Sequence, residues 1–184
     1  MILKYFFFIL CFLSLSFNVS ANNKEKIINN LRDTVNQNFQ FKQNINGKIE
    51  TGHCTIEYPK KIFCIYKKNN KKILVSNGSS LVIKTISSYY RYPLKKTPLN
   101  LILDKYFLIN KIYDLEEETK YKPHISFTIK EGNSEIDIFF DYQTFDLIGW
   151  RTKDIFQNIN TTFISSIRKN QFIDKNLFSL PAPN

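Results

Sequence analysis

The sequence predicts a mainly β fold with helices, an α+β class in which about ten antiparallel strands make one sheet or barrel. Three observations lead there. Apolar residues alternate with polar ones in short runs between positions 39 and 92 and again between 125 and 166. The runs are joined by short turns rich in Asn, Gly and Lys, which suit hairpins and are too short for the crossovers that parallel strands need. Helical spacing is confined to two stretches, one before the first run and one between the two sets of strands.

Asn22-Asn23 caps a helix predicted from Lys24 to about Asn36, with Ile27, Ile28, Leu31 and Val35 on one apolar stripe. The period then changes to two: Phe39, Phe41 and Ile45 alternate with Gln40, Lys42 and Asn44, and Gly47 turns the chain. Further strands are expected over Ile49–Tyr58, Ile62–Lys67, Lys72–Ser76, Ser80–Ile86 and Tyr89–Tyr92. Asn69-Asn70 and Asn77-Gly78 are the turns flanking the fourth. Thr97-Pro98 opens a short helix, Thr as N-cap and Pro at the first position, with Leu99, Ile102 and Leu103 as its apolar face. Leu108–Leu115 is expected to be extended, and Glu116-Glu117-Glu118 a solvated loop. A meander follows: Ile125–Lys130, Glu135–Asp141, Leu147–Thr152 and Asn160–Ser166, turned at Glu131-Gly132-Asn133 and Tyr142-Gln143-Thr144. Phe178–Leu180 adds an edge strand that Pro181 stops.

The N-terminus sets the compartment. Met1–Lys4 carries one positive charge, Tyr5–Phe17 is an apolar run broken only by Ser14 and Ser16, and Val19-Ser20-Ala21 suits a signal peptidase. The run is shorter than the ~20 apolar residues of a spanning helix. Residues 1–21 are therefore read as a signal peptide cleaved after Ala21, and residues 22–184 as a single domain in the periplasm. Loss of Lys4 lowers the net charge of +10 by one. Such a balance invites anionic partners, but the lysines are scattered through turns (Lys60-Lys61, Lys71-Lys72, Lys95-Lys96) and line no helix. The charge is read as solubility and coding bias, with no nucleic-acid partner.

Cys11 leaves with the leader, so Cys54 and Cys64 remain, flanking Pro59-Lys60-Lys61. They are a possible disulfide in an oxidising compartment. Two buried free thiols are the alternative, since strand register cannot be read from sequence.

No catalytic pattern is present. The two histidines, His53 and His124, belong to no metal-ligating motif, and there is no G-x-S-x-G, H-E-x-x-H or Gly-rich phosphate loop. The reading is a binding protein, not an enzyme, with no cofactor and no metal. What the chain has in excess is apolar side chains: 17 Phe and 10 Tyr, with strands such as Ile62–Tyr66 and Ile136–Phe140 apolar on both faces. A thick core is one account; an apolar cavity covered by helices is the other.

The order of features resembles the LolA family, the periplasmic carriers of outer-membrane lipoproteins. Asn38-Phe39-Gln40-Phe41-Lys42-Gln43 is similar to its F-x-Q element, and Ile56-Glu57-Tyr58-Pro59 followed by Ile62–Tyr66 to its strand, Pro and aromatic strand. Ile73–Gly78 resembles its I-x-S-D-G turn, Thr97–Leu103 its T-P-L-x-x-L-L helix, and Phe178–Pro181 its closing F-x-x-P. The resemblance implies an unclosed antiparallel half-barrel of about ten or eleven strands, its concave face covered by a helical lid. It implies a monomeric carrier that takes acylated lipoproteins from an inner-membrane ABC transporter and hands them to an outer-membrane lipoprotein receptor. Alternatives are a lipid-binding or lipoprotein-sensing protein of the same fold, or, from a different class, a basic surface-binding module. On this reading Ile27, Leu31, Val35, Leu99, Ile102 and Leu103 close as a lid over Phe39, Phe41, Ile56, Ile62, Cys64 and Tyr66. Where the family often has an Arg that hydrogen-bonds the lid shut, this chain has Tyr58, with one donor in place of several.

Overall fold

The structure is a computed structural model that describes residues 22–67, 71–116, 124–132, 134–153 and 158–183. The expected leader (1–21), the turn residues Asn69, Asn70 and Asn133, and Glu117-Glu118 lie outside the described residues.

Helix α1 runs Asn23–Asp33, capped by the Asn22 side chain, which accepts from the Lys24 N–H. Its stripe of Ile27, Ile28 and Leu31 is buried as expected, but the helix stops short of Asn36. Thr34 is extended, and its hydroxyl donates to the Asn30 carbonyl at 2.7 Å, ending the helix. Val35 therefore leaves the stripe and is 55% exposed, its carbonyl accepting from the Tyr58 N–H instead.

Two meanders follow. The first is β1 (Asn36–Ile45), β2 (Lys48–Glu57), β3 (Lys61–Tyr66), β4 (Ile73–Asn77), β5 (Ser80–Lys84) and β6 (Tyr89–Pro93). The second is β7 (His124–Glu131), β8 (Ser134–Asp141), β9 (Leu147–Lys153) and β10 (Ile159–Lys169). Pairing of β1 with β10 joins them into one ten-stranded antiparallel sheet, order β6-β5-β4-β3-β2-β1-β10-β9-β8-β7, whose edges β6 and β7 do not meet. The half-barrel expected from the resemblance is thus observed, at ten strands. Turn chemistry supports the hairpins: at β1–β2, Asn46 and Gly47 have φ of 50° and 87°, the left-handed region that a two-residue hairpin turn requires.

Between the meanders lie a 3₁₀ turn (Leu94–Lys96), the four-residue helix α2 (Leu99–Ile102) and α3 (Lys105–Asp114). Thr97 does not cap α2 with its side chain: the hydroxyl donates to the Leu94 carbonyl at 2.8 Å and closes the 3₁₀ turn. The expected extended Leu108–Leu115 is a helix. Asp104 caps it by accepting from the Phe107 N–H, and Lys105, Leu108 and Ile112 are buried on one side of it. The tail forms no edge strand. Phe178 is buried, the Lys61 ammonium lies over its ring at 5.7 Å, and Lys84 donates to the Ala182 carbonyl. Strand alternation puts Lys61 and Lys84 on the convex face, so the tail crosses the back of the sheet, where Val75 and Val82 are buried.

Helices α1 and α3 pack on each other over the β7–β10 half of the concave face. Lys105 ties them: its buried ammonium donates to the carbonyls of Arg32 and Thr34, at 2.9 and 2.8 Å, satisfying the C-terminal end of α1. Asn30 reaches from α1 to the β8–β9 turn, donating to the Thr144 carbonyl.

Candidate functional site

The remaining part of the concave face is hollow. A cavity of about 270 Å³ is walled by Phe39, Phe41, Cys54, Ile62, Cys64, Tyr66, Leu74, Leu81 and Ile83 from the first meander and by Trp150 from the second. Thr97, Pro98, Leu99 and Ile102 form its roof. Alternation places these strand side chains on one face: Phe39 pairs with Cys54, Cys54 with Cys64, Cys64 with Leu74, and Leu74 with Ile83, a continuous concave row. The next row pairs Phe41 with Gly52 and Gly52 with Tyr66. Gly52 has no room for a side chain, because a Cβ there would collide with the Ile65 carbonyl oxygen and lie 2.6 Å from the Phe41 ring. That vacancy lets Phe41 and Tyr66 meet edge to face at 4.9 Å across β2.

Cys54 and Cys64 are joined by a disulfide in the cavity floor. It pins β2 to β3 at the centre of the wall.

One end of the cavity is polar. Gln43, Lys72, Thr152, Asn160 and Thr162 line it, all at the β1–β2 hairpin end of the strands. Gln43 donates to the Thr162 hydroxyl at 3.1 Å, and the buried Asn160 Oδ1 has no hydrogen-bond partner. Lys72 pairs with the buried Glu50 at 2.7 Å and stands over the Tyr66 ring at 4.0 Å. Burial alone would raise the Glu50 carboxyl, but the hydrogen bond and charge of Lys72, with the charge of Lys48, outweigh it and hold the pKa below the usual carboxylate value. Burial, and then the Glu50 charge, push the Tyr66 phenol well above its ordinary range, so it stays a neutral donor.

The roof is held at the opposite end of the strands. The Lys60 N–H in the β2–β3 turn donates to the Leu103 carbonyl at 2.8 Å, and the Lys60 ammonium pairs with Asp104 at 3.3 Å. Tyr58 takes no part by hydrogen bonding: its hydroxyl is buried without a partner, and burial pushes its pKa up.

Of the residues expected at the site, Phe39, Phe41, Ile62, Cys64, Tyr66, Leu99 and Ile102 line the cavity. Ile27, Leu31, Ile56, Tyr58 and Leu103 are buried in the surrounding core without lining it, and Val35 is exposed. Helix α1 is therefore a buttress of the filled half, not part of the roof over this cavity. Ile45, Leu74, Leu81, Ile83, Trp150 and the polar end were not anticipated. Leu74, Leu81 and Ile83 were readable by extending the alternation of β3 through two hairpins. Trp150, Thr152, Asn160 and Thr162 depend on the β1–β10 pairing, which has no local signal.

The family model described as outer membrane lipoprotein carrier protein LolA matches residues 28–181. The chain belongs to the LolA family. Its members are carriers or binding proteins, and the fold is the family's lipoprotein-binding fold. Among the described residues no helix is long and apolar enough to cross a membrane. No curated protein matches the chain. Solved structures with a similar fold include an uncharacterized conserved protein from Thermus thermophilus, with TM-score 0.52, 6% identity, and 87% of this chain and 95% of that one covered. A LolA superfamily protein from Nitrosomonas europaea aligns at TM-score 0.44 and 7% identity over 87% of this chain and 99% of its own. The lipoprotein LppX of Mycobacterium tuberculosis aligns at TM-score 0.46 and 8% identity over 83% and 96%.

Proposed function

We propose that this member of the family is a monomeric periplasmic carrier that shields the acyl chains of lipoproteins in its cavity. On this reading the leader is cleaved after Ala21, an inner-membrane ABC transporter loads the cargo, and an outer-membrane receptor unloads it. The observation that supports it is the apolar hollow under a four-residue roof, in a chain whose family carries outer-membrane lipoproteins.

Burying a CH₂ is worth about 0.8 kcal/mol, so an acyl chain of about fifteen methylenes gains on the order of 12 kcal/mol by leaving water. That is enough to make an apolar cavity a strong acceptor. The cavity's roughly 270 Å³ lies just below the ~300 Å³ at which small-molecule sites begin, so a multiply acylated anchor requires the roof to lift. Lifting breaks the Lys60–Leu103 backbone hydrogen bond and the partly exposed Lys60–Asp104 ion pair and uncovers Leu99 and Ile102. The free energy of opening subtracts from the net affinity and keeps the cargo releasable.

The test is transfer. Purified protein is incubated with lipoprotein-loaded inner-membrane preparations, the membranes are pelleted, and the supernatant is assayed for lipoprotein in complex with the carrier. The expected result is soluble complex with the natural chain and loss of it with Leu99→Glu, which puts a charge on the roof. Lipoprotein that stays wholly in the pellet with the natural chain overturns the proposal.

A further inference from the structure

A cavity built for hydrocarbon alone has no use for a buried amide oxygen without a partner. Here Asn160 carries one, on a wall shared with Gln43, Thr152 and Thr162. The register makes this wall continuous: Gln43 stands opposite Thr162, and Asn160 opposite Thr152. Beside it, Gln43 is also paired across β1–β2 with Glu50, whose carboxylate takes Lys72 at 2.7 Å and Lys48 at 3.5 Å. The Lys72 charge is thus partly answered from within the protein, and Lys72, not Glu50, is the member of this pair that lines the cavity. An uncharged group bearing N–H or O–H donors meets an open acceptor, two threonine hydroxyls and a carboxamide.

We propose that Gln43, Thr152, Asn160 and Thr162 form a headgroup subsite for the uncharged ester- and amide-linked head of an acylated peptide, with the Asn160 Oδ1 accepting from an N–H of that head. This rests on the acyl-chain reading of the cavity and adds selection among acylated ligands. The polar wall lies at the β1–β2 hairpin end, away from the Lys60–Leu103 contact, so tails extend under α2 while the head stays by the hairpin.

The experiment measures displacement of a fluorescent acyl probe from the purified protein by two ligands: a synthetic dipalmitoyl-glyceryl-cysteinyl peptide amide with an N-acetylated terminus, and palmitate, whose carboxylate offers no donor to Asn160. Asn160→Leu is expected to lose about five- to tenfold for the lipopeptide and to leave palmitate unchanged. Thr152→Val is expected to show the same selective loss. Far-ultraviolet circular dichroism and denaturation midpoints confirm that each variant is folded; if Asn160→Leu is not, Thr152→Val decides. Equal loss of the lipopeptide and palmitate in the variants, or no loss of the lipopeptide, overturns the subsite and leaves the cavity reading standing. Displacement by neither of them overturns both.

Discussion

Under α1 and α3 the concave face is filled. Phe127, Phe140, Ile125, Ile138 and Ile136 from β7 and β8 meet Ile27, Leu31, Leu108 and Ile112 from the helices, nearly all without solvent exposure. Under α2, on the same face of the same sheet, Phe39, Phe41, Leu74, Leu81 and Ile83 line empty space. Both floors carry large apolar side chains. The difference is the cover. Helices of 11 and 10 residues, each with a capping side chain, bury their stripes in the same core cluster as the first floor. A helix of four residues, between a 3₁₀ turn and Asp104, brings Leu99 and the fully buried Ile102 over the second, and the cavity remains beneath them. Stability is concentrated where the cover is long; capacity appears where it is short.

The widest test of this contrast is a pair of truncations. Phe127→Ala, in the filled half, is expected to cost about 3–5 kcal/mol. Leu81→Ala, on the cavity wall, is expected to cost about 2 kcal/mol, because a side chain facing a void gives up fewer contacts. Urea midpoints report both, and equal losses would abolish the distinction between the halves. Next comes the disulfide, which closes a short loop (sequence separation 10) in the hollow half. Replacing both cysteines by serine is expected to lower unfolding free energy by about 2–4 kcal/mol, read by thermal unfolding with and without reductant. Lys105→Met, which strips two carbonyls at the end of α1 of their donor, is expected to cost about 1–3 kcal/mol and to raise amide exchange in α1 before the sheet. Lys60→Ala, at the roof, removes an ion pair of partly exposed groups and is expected to cost under about 1 kcal/mol while speeding uptake of an acyl probe in stopped flow. The smallest effect is with acid. The Glu50 carboxyl sits below its unfolded value, so its contribution is present at neutral pH and lost as pH falls below about 4. Glu50→Gln should flatten that part of the stability curve.

The strands of both meanders were legible in the sequence because alternation and turn chemistry agree, as at Asn77-Gly78, where Gly78 has φ of 98° and the Asn77 side chain accepts from the N–H groups of Ser79 and Ser80. Helix α3 was missed because Leu108–Leu115 taken alone is rich in β-branched and aromatic residues; the helical stripe appears once the segment is started at its cap, Asp104, and Lys105, Leu108 and Ile112 are counted together. Val35 was misplaced because a 27-31-35 stripe assumes an unbroken helix, and Thr34 bonds back to Asn30 and breaks it. The apolar wall was partly found because hydrophobic excess is visible in composition. The polar end was not, because Gln43 and Thr162 are 119 residues apart and only the joining of the two meanders makes them neighbours.

Strands β6 and β7 end the sheet without bonding to each other. A closed barrel has its girth fixed by strand number and shear, and cannot widen without severing a ladder. An open one has a free circumference: it can uncurl slightly by easing the twist between neighbours, with each interstrand bond kept. A container of this kind can be sized to stouter or slimmer cargo by bending its wall, while the filled half holds the rest of the shape.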